Sequence, residues 1–334
     1  MPPRNTVPLS VLISAYNAEE FLPEALESIL NQHFTDFELL IADDGSTDNT
    51  KSVIDKYSRM DRRIKCFHNI ENIGKTATIN KLFKKSTGSF ITIHDADDVS
   101  APQRFKKQIE AFLADESLGV CGVGFITIDR WGFILSYDIM PEDWDEIVKN
   151  ITKASQFHGP TMMIKRSVLD CMGEIYRPYF QDNYEDTDLA FRIIDNYRGY
   201  NLQEHLYFYR ILDSSLCRRK VDVRNRNLYK VVAMLGEQRR KSGTDFLMEN
   251  RPEKADKYLD EVTIEYKKDP ARIYREAAAY YFHWKLIVKA CSAAWSGVLV
   301  RPFDLKNIRT LFYIIRKSFL SFESAKTHYK KILL

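Results

Sequence analysis

The first hundred residues alternate two textures. Short apolar runs at residues 7–15 (VPLSVLISA), 37–42 (FELLIA), 64–67 (IKCF) and 90–93 (FITI) are separated by longer stretches in which apolar residues recur every three or four positions. A nearly unbroken apolar run is the pattern of a strand buried on both faces of a parallel sheet. The intervening stretches read as helices. Leu22, Ala25, Leu26, Ile29 and Leu30 fall on one stripe, a second helix runs to about Arg59, and a third runs from Lys75 to about Lys85. Asn17 and Glu20 have capping-box spacing ahead of the first helix, and Pro23 suits its opening turn. Strand and helix thus alternate four times with short links, which predicts an α/β fold with a mainly parallel sheet. Right-handed crossovers then bring the carboxyl ends of the strands to one edge.

Polar chemistry collects on that edge. The runs end in Ser14-Ala15-Tyr16, in Asp43-Asp44 with the turn formers Gly45 to Asp48, in the turn 69–74, and in Asp95, Asp97 and Asp98. Three carboxylates within four positions repel one another, and they cost least when a divalent cation or a ring of donors sits among them. Ligands of open α/β sheets bind at the carboxyl ends of the strands, so a nucleotide reading is available. It gives Tyr16 to a flat base, Asp44 to a base NH, and the central carboxylates to a metal and a diphosphate. The plainer account of the same residues is a solvated acidic turn before a helix capped near Ser100. No Gly-x-Gly-x-x-Gly follows the first run and no P-loop occurs, which disfavours a dehydrogenase or a P-loop phosphotransferase.

Further along, residues 119–128 read as a strand and 143–151 as a short helix. His158-Gly159-Pro160 precedes a strand that passes into a helix near Ser167. His158 reads as a loop hydrogen-bonder or as a substrate contact. In residues 183–197, Leu189, Ala190, Ile193, Ile194 and Tyr197 make one helical face. That leaves Glu185 and Asp186 at the helix start, where acids are favoured by the dipole alone.

The ordered set SAYN at 14–17, SIL at 28–30 with Gln32, FELLIADDGSTDNT at 37–50, NIG at 72–74 and GSFITIHDADD at 88–98 resembles the family 2 glycosyltransferases of GT-A fold over roughly the first 215 residues. The resemblance implies a nucleotide-sugar site in which Ser14, Ala15, Tyr16 and Asp44 contact the nucleoside, usually uridine. It assigns Asp95, Asp97 and Asp98 to the metal and diphosphate motif, with Asp97 the expected ligand of Mg or Mn. The Glu185-Asp186 pair resembles the motif whose Asp is the catalytic base of inverting members, here Asp186. Two departures stand out. Many relatives read Tyr-Arg-x-His where this chain has Leu212, which puts a third metal ligand in doubt. There is also no Gln-x-x-Arg-Trp motif, so transfer of a single sugar is expected rather than processive synthesis.

Composition adds a division. Among 334 residues, 45% hydrophobic, residues 1–217 carry a net charge of −10 and residues 218–334 a net charge of +13. The expected organisation is a catalytic domain over 1–217 and a basic, mostly helical extension over 218–334. Five scattered cysteines show no zinc or redox spacing, and the N-terminus lacks a secretory pattern, so a cytoplasmic location is expected, with peripheral contact at the inner membrane face as a variant. In residues 305–320, Leu305, Ile308, Phe312, Ile315 and Phe319 form an apolar stripe, with Lys306, Arg309, Arg316 and Lys317 off it. That stripe suits a membrane surface, and equally well packing on the catalytic domain or in a homodimer. No run is long enough to span a bilayer, and no nucleic-acid module is evident. The expected activity is inverting transfer from a nucleotide sugar to a surface-polysaccharide, lipopolysaccharide or lipid-linked acceptor. A nucleotide-sugar-binding or assembly subunit without turnover, and a sugar nucleotidyltransferase, are the alternatives.

Overall fold

The structure, a computed structural model, describes residues 8–212, 222–283 and 286–324, with side chains described as far as Lys317 in the last helix. Two compact units divide the chain: Met1–Arg210 with Val232–Asp245, and Ile211–Val231 with Phe246–Leu334. The boundary expected at 217 lies in 213–221, outside the described residues.

Among the described residues the first unit is built on nine strands: β1 (Leu9–Ala15), β2 (Phe37–Asp43), β3 (Ile64–His68), β4 (Phe90–Ile93), β5 (Val99–Ser100), β6 (Leu118–Ile128), β7 (Ile134–Asp138), β8 (Met163–Lys165) and β9 (Arg198–Arg210). They form one sheet in the order β3-β2-β1-β4-β8-β6-β9-β5, with β7 paired to β6. β3, β2, β1 and β4 run parallel, as the unbroken apolar runs predict. β8 is antiparallel to β4 and β6, and β9 is parallel to β6. From β1 the chain moves outward through β2 and β3, then returns to place β4 on β1's other side. That reversal opens a crevice at the carboxyl ends of β1 and β4.

β1 and β2 are buried on both faces, and Leu9, Val11, Ile13, Leu39 and Ile41 meet Leu26, Ile29 and Phe105 from the flanking helices in the main core. The helices Leu22–Leu30, Thr50–Met60 and Lys75–Lys85 form where the apolar spacing predicts. The expected capping box does not form. Asn17 sits at φ 48°, its Oδ1 accepts from Thr47 N at 2.9 Å, and the helix opens after Phe21 with no side-chain cap. Asn17 therefore ties the β1 loop to the β2 loop. The plainer account of a helix capped near Ser100 also fails: Ser100 lies in β5 and the helix is Arg104–Ala114. β9 begins with RGYNLQEH, a first half polar enough to hide the strand from a reading of apolar runs.

In the second unit, Arg272–His283, Ile287–Val300 and Leu305–Ser324 pack around Ala278, Ala290, Ala294 and Ile314. The last helix leaves most of its apolar stripe outside this core. Asn307, Leu311 and Ile314 face inward, while Leu305 is 65% exposed and Phe312 68%. Asn307 explains which face is buried. Its amide donates to Gly297 O at 2.9 Å and Arg301 O at 3.0 Å, and its Oδ1 accepts from Arg275 at 2.6 Å. A fully buried amide satisfied on both sides fixes the helix face more firmly than an apolar stripe that has other places to go.

Candidate active site

The β1 and β2 loops and the 69–74 turn form one wall of the crevice. Asp44 is 1% exposed, and its carboxylate accepts from Asn69 Nδ2 at 2.8 Å, Ile73 N at 3.1 Å and Gly74 N at 2.9 Å. Gly45 is required beside it. Its φ is +73°, and a Cβ there would lie 2.5 Å from the carbonyl carbon of Glu71. Three donors leave the Asp44 carboxylate room for one further NH. Ser14 is half-buried, Ala15 is buried, and Tyr16 stands 40% exposed at the end of β1.

The acidic turn after β4 is sorted by its partners. Asp95 accepts from Lys75 Nζ at 2.5 Å. Burial alone would raise its carboxyl, but the Lys75 charge outweighs it and holds it below the ordinary value. Asp98 is wholly buried, accepting from Tyr207 OH at 2.8 Å and from Arg210 N at 2.7 Å. Burial and the neighbouring Asp97 and Asp95 push that carboxyl well up. It thus fastens β9 to the turn from inside the protein. Asp97 is half-buried, and among the described residues no other side chain donates to its carboxylate. Burial and the Asp95 charge raise it to about 6.

Across the crevice the helix Glu185–Ile194 begins at Tyr184, which is in the left-handed region with φ 64°. Glu185 is buried, and burial together with the adjacent Asp186 raises its carboxyl to about 8. The favourable pull of the helix start is outweighed there by desolvation. Asp186 is half-buried, with Oδ1 accepting from Thr187 N at 2.7 Å. Its other oxygen is pressed on the His158-Gly159 loop, since a Cβ built on Gly159 would fall 2.2 Å from Oδ2. Only glycine admits the carboxylate at that distance. The helix is held from behind by Asp188, fully buried between Arg192 at 2.9 Å and Arg177 at 3.5 Å. Gly236, in the returning helix Val223–Ser242, lets Phe191 pack closely against it.

The two walls meet electrostatically. Lys75 bonds Asp95 and feels the charges of Tyr176 and Glu185. Burial works to lower its ammonium, but those charges hold it well above the ordinary lysine value. His158 feels both Asp186 and Asp95, yet burial drives it down to about 4, so the ring is neutral at pH 7. The ring stacks on Phe125 at 4.1 Å, and its Nε2 has no partner among the described residues. The structure thus brings Asp95, Glu185, Asp186 and His158 into one cluster of titratable groups around Lys75, next to Asp97, while Asp98 is turned away into the protein.

Sequence reasoning missed Lys75, Tyr207 and Arg210. For Lys75 the signal was available, as the single cation directly after Asn72-Ile73-Gly74. For Arg210 the Tyr-Arg-x-His comparison touched the residue without giving it a role, and for Tyr207 there was no signal, because its role depends on β9 reaching β5. The residues present fit a divalent cation. Asp97 is a carboxylate without a side-chain donor, raised toward neutrality by its surroundings, and one protein carboxylate plus substrate phosphates is a usual Mg or Mn arrangement.

Taken together, the switch-point crevice, its carboxylates and the mixed sheet define a GT-A-fold transferase. A family model described as Glycosyl transferase family 2 matches residues 10–173. The chain is 32% identical over 201 residues to EpsE of Bacillus subtilis, covering 60% of this chain and 71% of EpsE. It is 31% identical over 212 residues to the O-antigen biosynthesis glycosyltransferase WbnJ of Escherichia coli, covering 62% of this chain and 81% of WbnJ. Residues 1–349 of S. aureus TarS, solved in complex with UDP-GlcNAc, share its fold with a TM-score of 0.59 at 19% identity, over 93% of this chain and 92% of that one. The chain belongs to glycosyltransferase family 2 and is a glycosyltransferase.

Proposed function

We propose that this enzyme transfers one sugar from a nucleoside diphosphate sugar to an acceptor hydroxyl with inversion at the anomeric carbon, Asp186 acting as general base. The observation that carries the reading is the half-exposed Asp186 carboxylate seated on Gly159, in the same charged cluster as Lys75 and the acidic turn. Glu185, raised to about 8 by burial and Asp186, holds its proton at neutral pH and so leaves the base role to its neighbour.

In this reading Tyr16 offers its exposed ring to the base, Ser14 and Ala15 line the nucleoside, and Asp44 takes a base NH while fixing the 69–74 turn. Asp97 would hold Mg or Mn. A bound cation supplies charge neutralisation for the departing diphosphate. Lys75, locked to Asp95, keeps that carboxylate ionised beside it. Asp186 removes the acceptor proton as the oxygen attacks from the face opposite the diphosphate, and positioning supplies much of the rate. WbnJ's name and the ligand of the TarS structure support a UDP-sugar donor and a surface-polysaccharide acceptor. A second reading, a donor-binding subunit without turnover, is favoured by one observation, Leu212 in place of the relatives' histidine.

The test is a screen of UDP-, GDP-, TDP- and CMP-sugars for slow cation-dependent hydrolysis, followed by NMR of the transferred sugar's anomeric configuration. Retention would overturn the base assignment. Donor binding without hydrolysis or transfer to any acceptor supports the second reading.

A further inference from the structure

The hairpin formed by the helices Ile287–Val300 and Leu305–Ser324 leaves uncovered what a folded protein ordinarily hides. At its tip, Leu299, Val300, Phe303 and Leu305 are all exposed, Phe303 at 96%. The exposure continues along both helices. Val288, Trp295 and Leu299 lie on the side of the first helix opposite its buried Ala290, Ala294 and Gly297, and Leu305 and Phe312 lie opposite Asn307 and Ile314 on the second. Such clustering of large apolar groups marks an interaction surface.

The charges around it say what kind. Residues 286–317 carry Lys289, Arg301, Lys306, Arg309, Arg316 and Lys317 against the single acid Asp304. Asp304 is itself occupied, capping Lys306 N at 2.9 Å. Arg309 and Arg316 alternate with Leu305 and Phe312 on one helical line, and neither arginine has an ion-pair partner among the described residues. One turn past the tip, Arg309 borders a hollow of about 620 Å³ that Arg275, Phe282 and Tyr313 also line. Long basic side chains interleaved with aromatic and aliphatic groups suit an interface that is oily below and anionic above, where the charged heads snorkel to phosphates. A complementary protein surface would need acids facing each arginine, which a second copy's like-charged face does not offer. Among the described residues no helix is long and apolar enough to cross a membrane.

We infer that this hairpin is a membrane-docking wedge. Its tip enters the headgroup and acyl boundary of an anionic bilayer, and Lys306, Arg309 and Arg316 lie against lipid phosphates. The inference is independent of the donor and of the base, because it is read by vesicle binding rather than by turnover.

The test is flotation of the full chain with phosphatidylcholine vesicles containing or lacking phosphatidylglycerol. Binding is expected only with the anionic lipid, and it weakens as salt rises. Phe303→Ser with Leu299→Ser lowers the partition at least tenfold. Each of Arg309→Glu and Arg316→Glu lowers it by about fivefold or more. Far-UV circular dichroism and thermal melting of these variants, unchanged from wild type, report an intact fold. Failure of the wild type to float, or equal flotation of the Phe303 and Leu299 variant, overturns the inference. So does light scattering that shows a dimer dispersed by the same substitutions, since a second copy would then be what covers the face.

Discussion

Two acidic corners face each other across the crevice, and adjacent carboxylates fare differently in each. In the turn after β4, partners do the sorting: Asp95 has Lys75, Asp98 has Tyr207 and Arg210 N, and Asp97 has no side-chain donor among the described residues. At the start of the helix Glu185–Ile194, depth does the sorting: Glu185 is buried and kept protonated, and Asp186 stays half-exposed on Gly159. Like charges crowded into one site cannot all be functional as charges. Each corner therefore neutralises or ties down its extra acids and leaves one carboxylate open, which in the proposed function holds a cation in the first corner and takes a proton in the second.

The sharpest way to break this contrast is to remove the base. Asp186→Asn keeps the shape and the hydrogen bond from Thr187 but cannot take a proton, so kcat should fall about a thousandfold while donor affinity changes less than twofold. Equal losses in kcat and in donor affinity would place Asp186 in binding instead. Asp97→Ala should do the opposite. Donor affinity in the presence of Mg or Mn falls on the order of a hundredfold, and the residual affinity no longer depends on the cation. Calorimetry with UDP, with and without Mn, checks it, and an unchanged cation dependence would move the ligand elsewhere.

How far this contrast was legible in the sequence differs between its corners. The short apolar runs alternating with helical stretches gave β1 to β4 and their parallel sense, and hence the edge on which Asp44 and Asp97 sit, but not their order in the sheet. Glu185 and Asp186 were placed at a helix start by the stripe from Leu189 to Tyr197. What could not be read was which acid of each group is buried. Asp98 and Asp97 are neighbours with the same side chain, and only the arrival of β9, a strand masked by its own polar first half, turns one inward. Which face of the last helix is buried within its own unit could not be read for a related reason. A buried amide, Asn307, outranks the apolar stripe, and periodicity counts apolar residues only.

Asp98 tests the structural half of the first corner. Asp98→Ala leaves the buried Tyr207 hydroxyl and Arg210 N–H without acceptors and should cost about 2 kcal/mol in denaturant unfolding. Asp98→Asn, which keeps an acceptor on one side, should cost less. A neutral outcome for the alanine variant would mean that relief of crowding beside Asp97 offsets the lost bonds.

The smallest effect sharpens the second corner most. Glu185 has its folded-state carboxyl raised to about 8 from an ordinary value of 4.5, so the folded protein binds more protons than the unfolded chain between those values. Stability attributable to this group is fully present below about pH 4.5 and is lost as pH climbs toward 8, because ionising it means keeping a buried charge beside Asp186. Glu185→Gln holds the same volume without that charge. It should match the wild type near pH 5 and exceed it near pH 8, by on the order of 1 kcal/mol once relaxation and the compensating Lys75 are allowed for. Paired thermal melts at the two pH values read this directly. A gap that closes rather than opens as pH rises would mean that Glu185 is ionised in the folded state, and that the two acids of this corner share the proton-accepting role rather than dividing it.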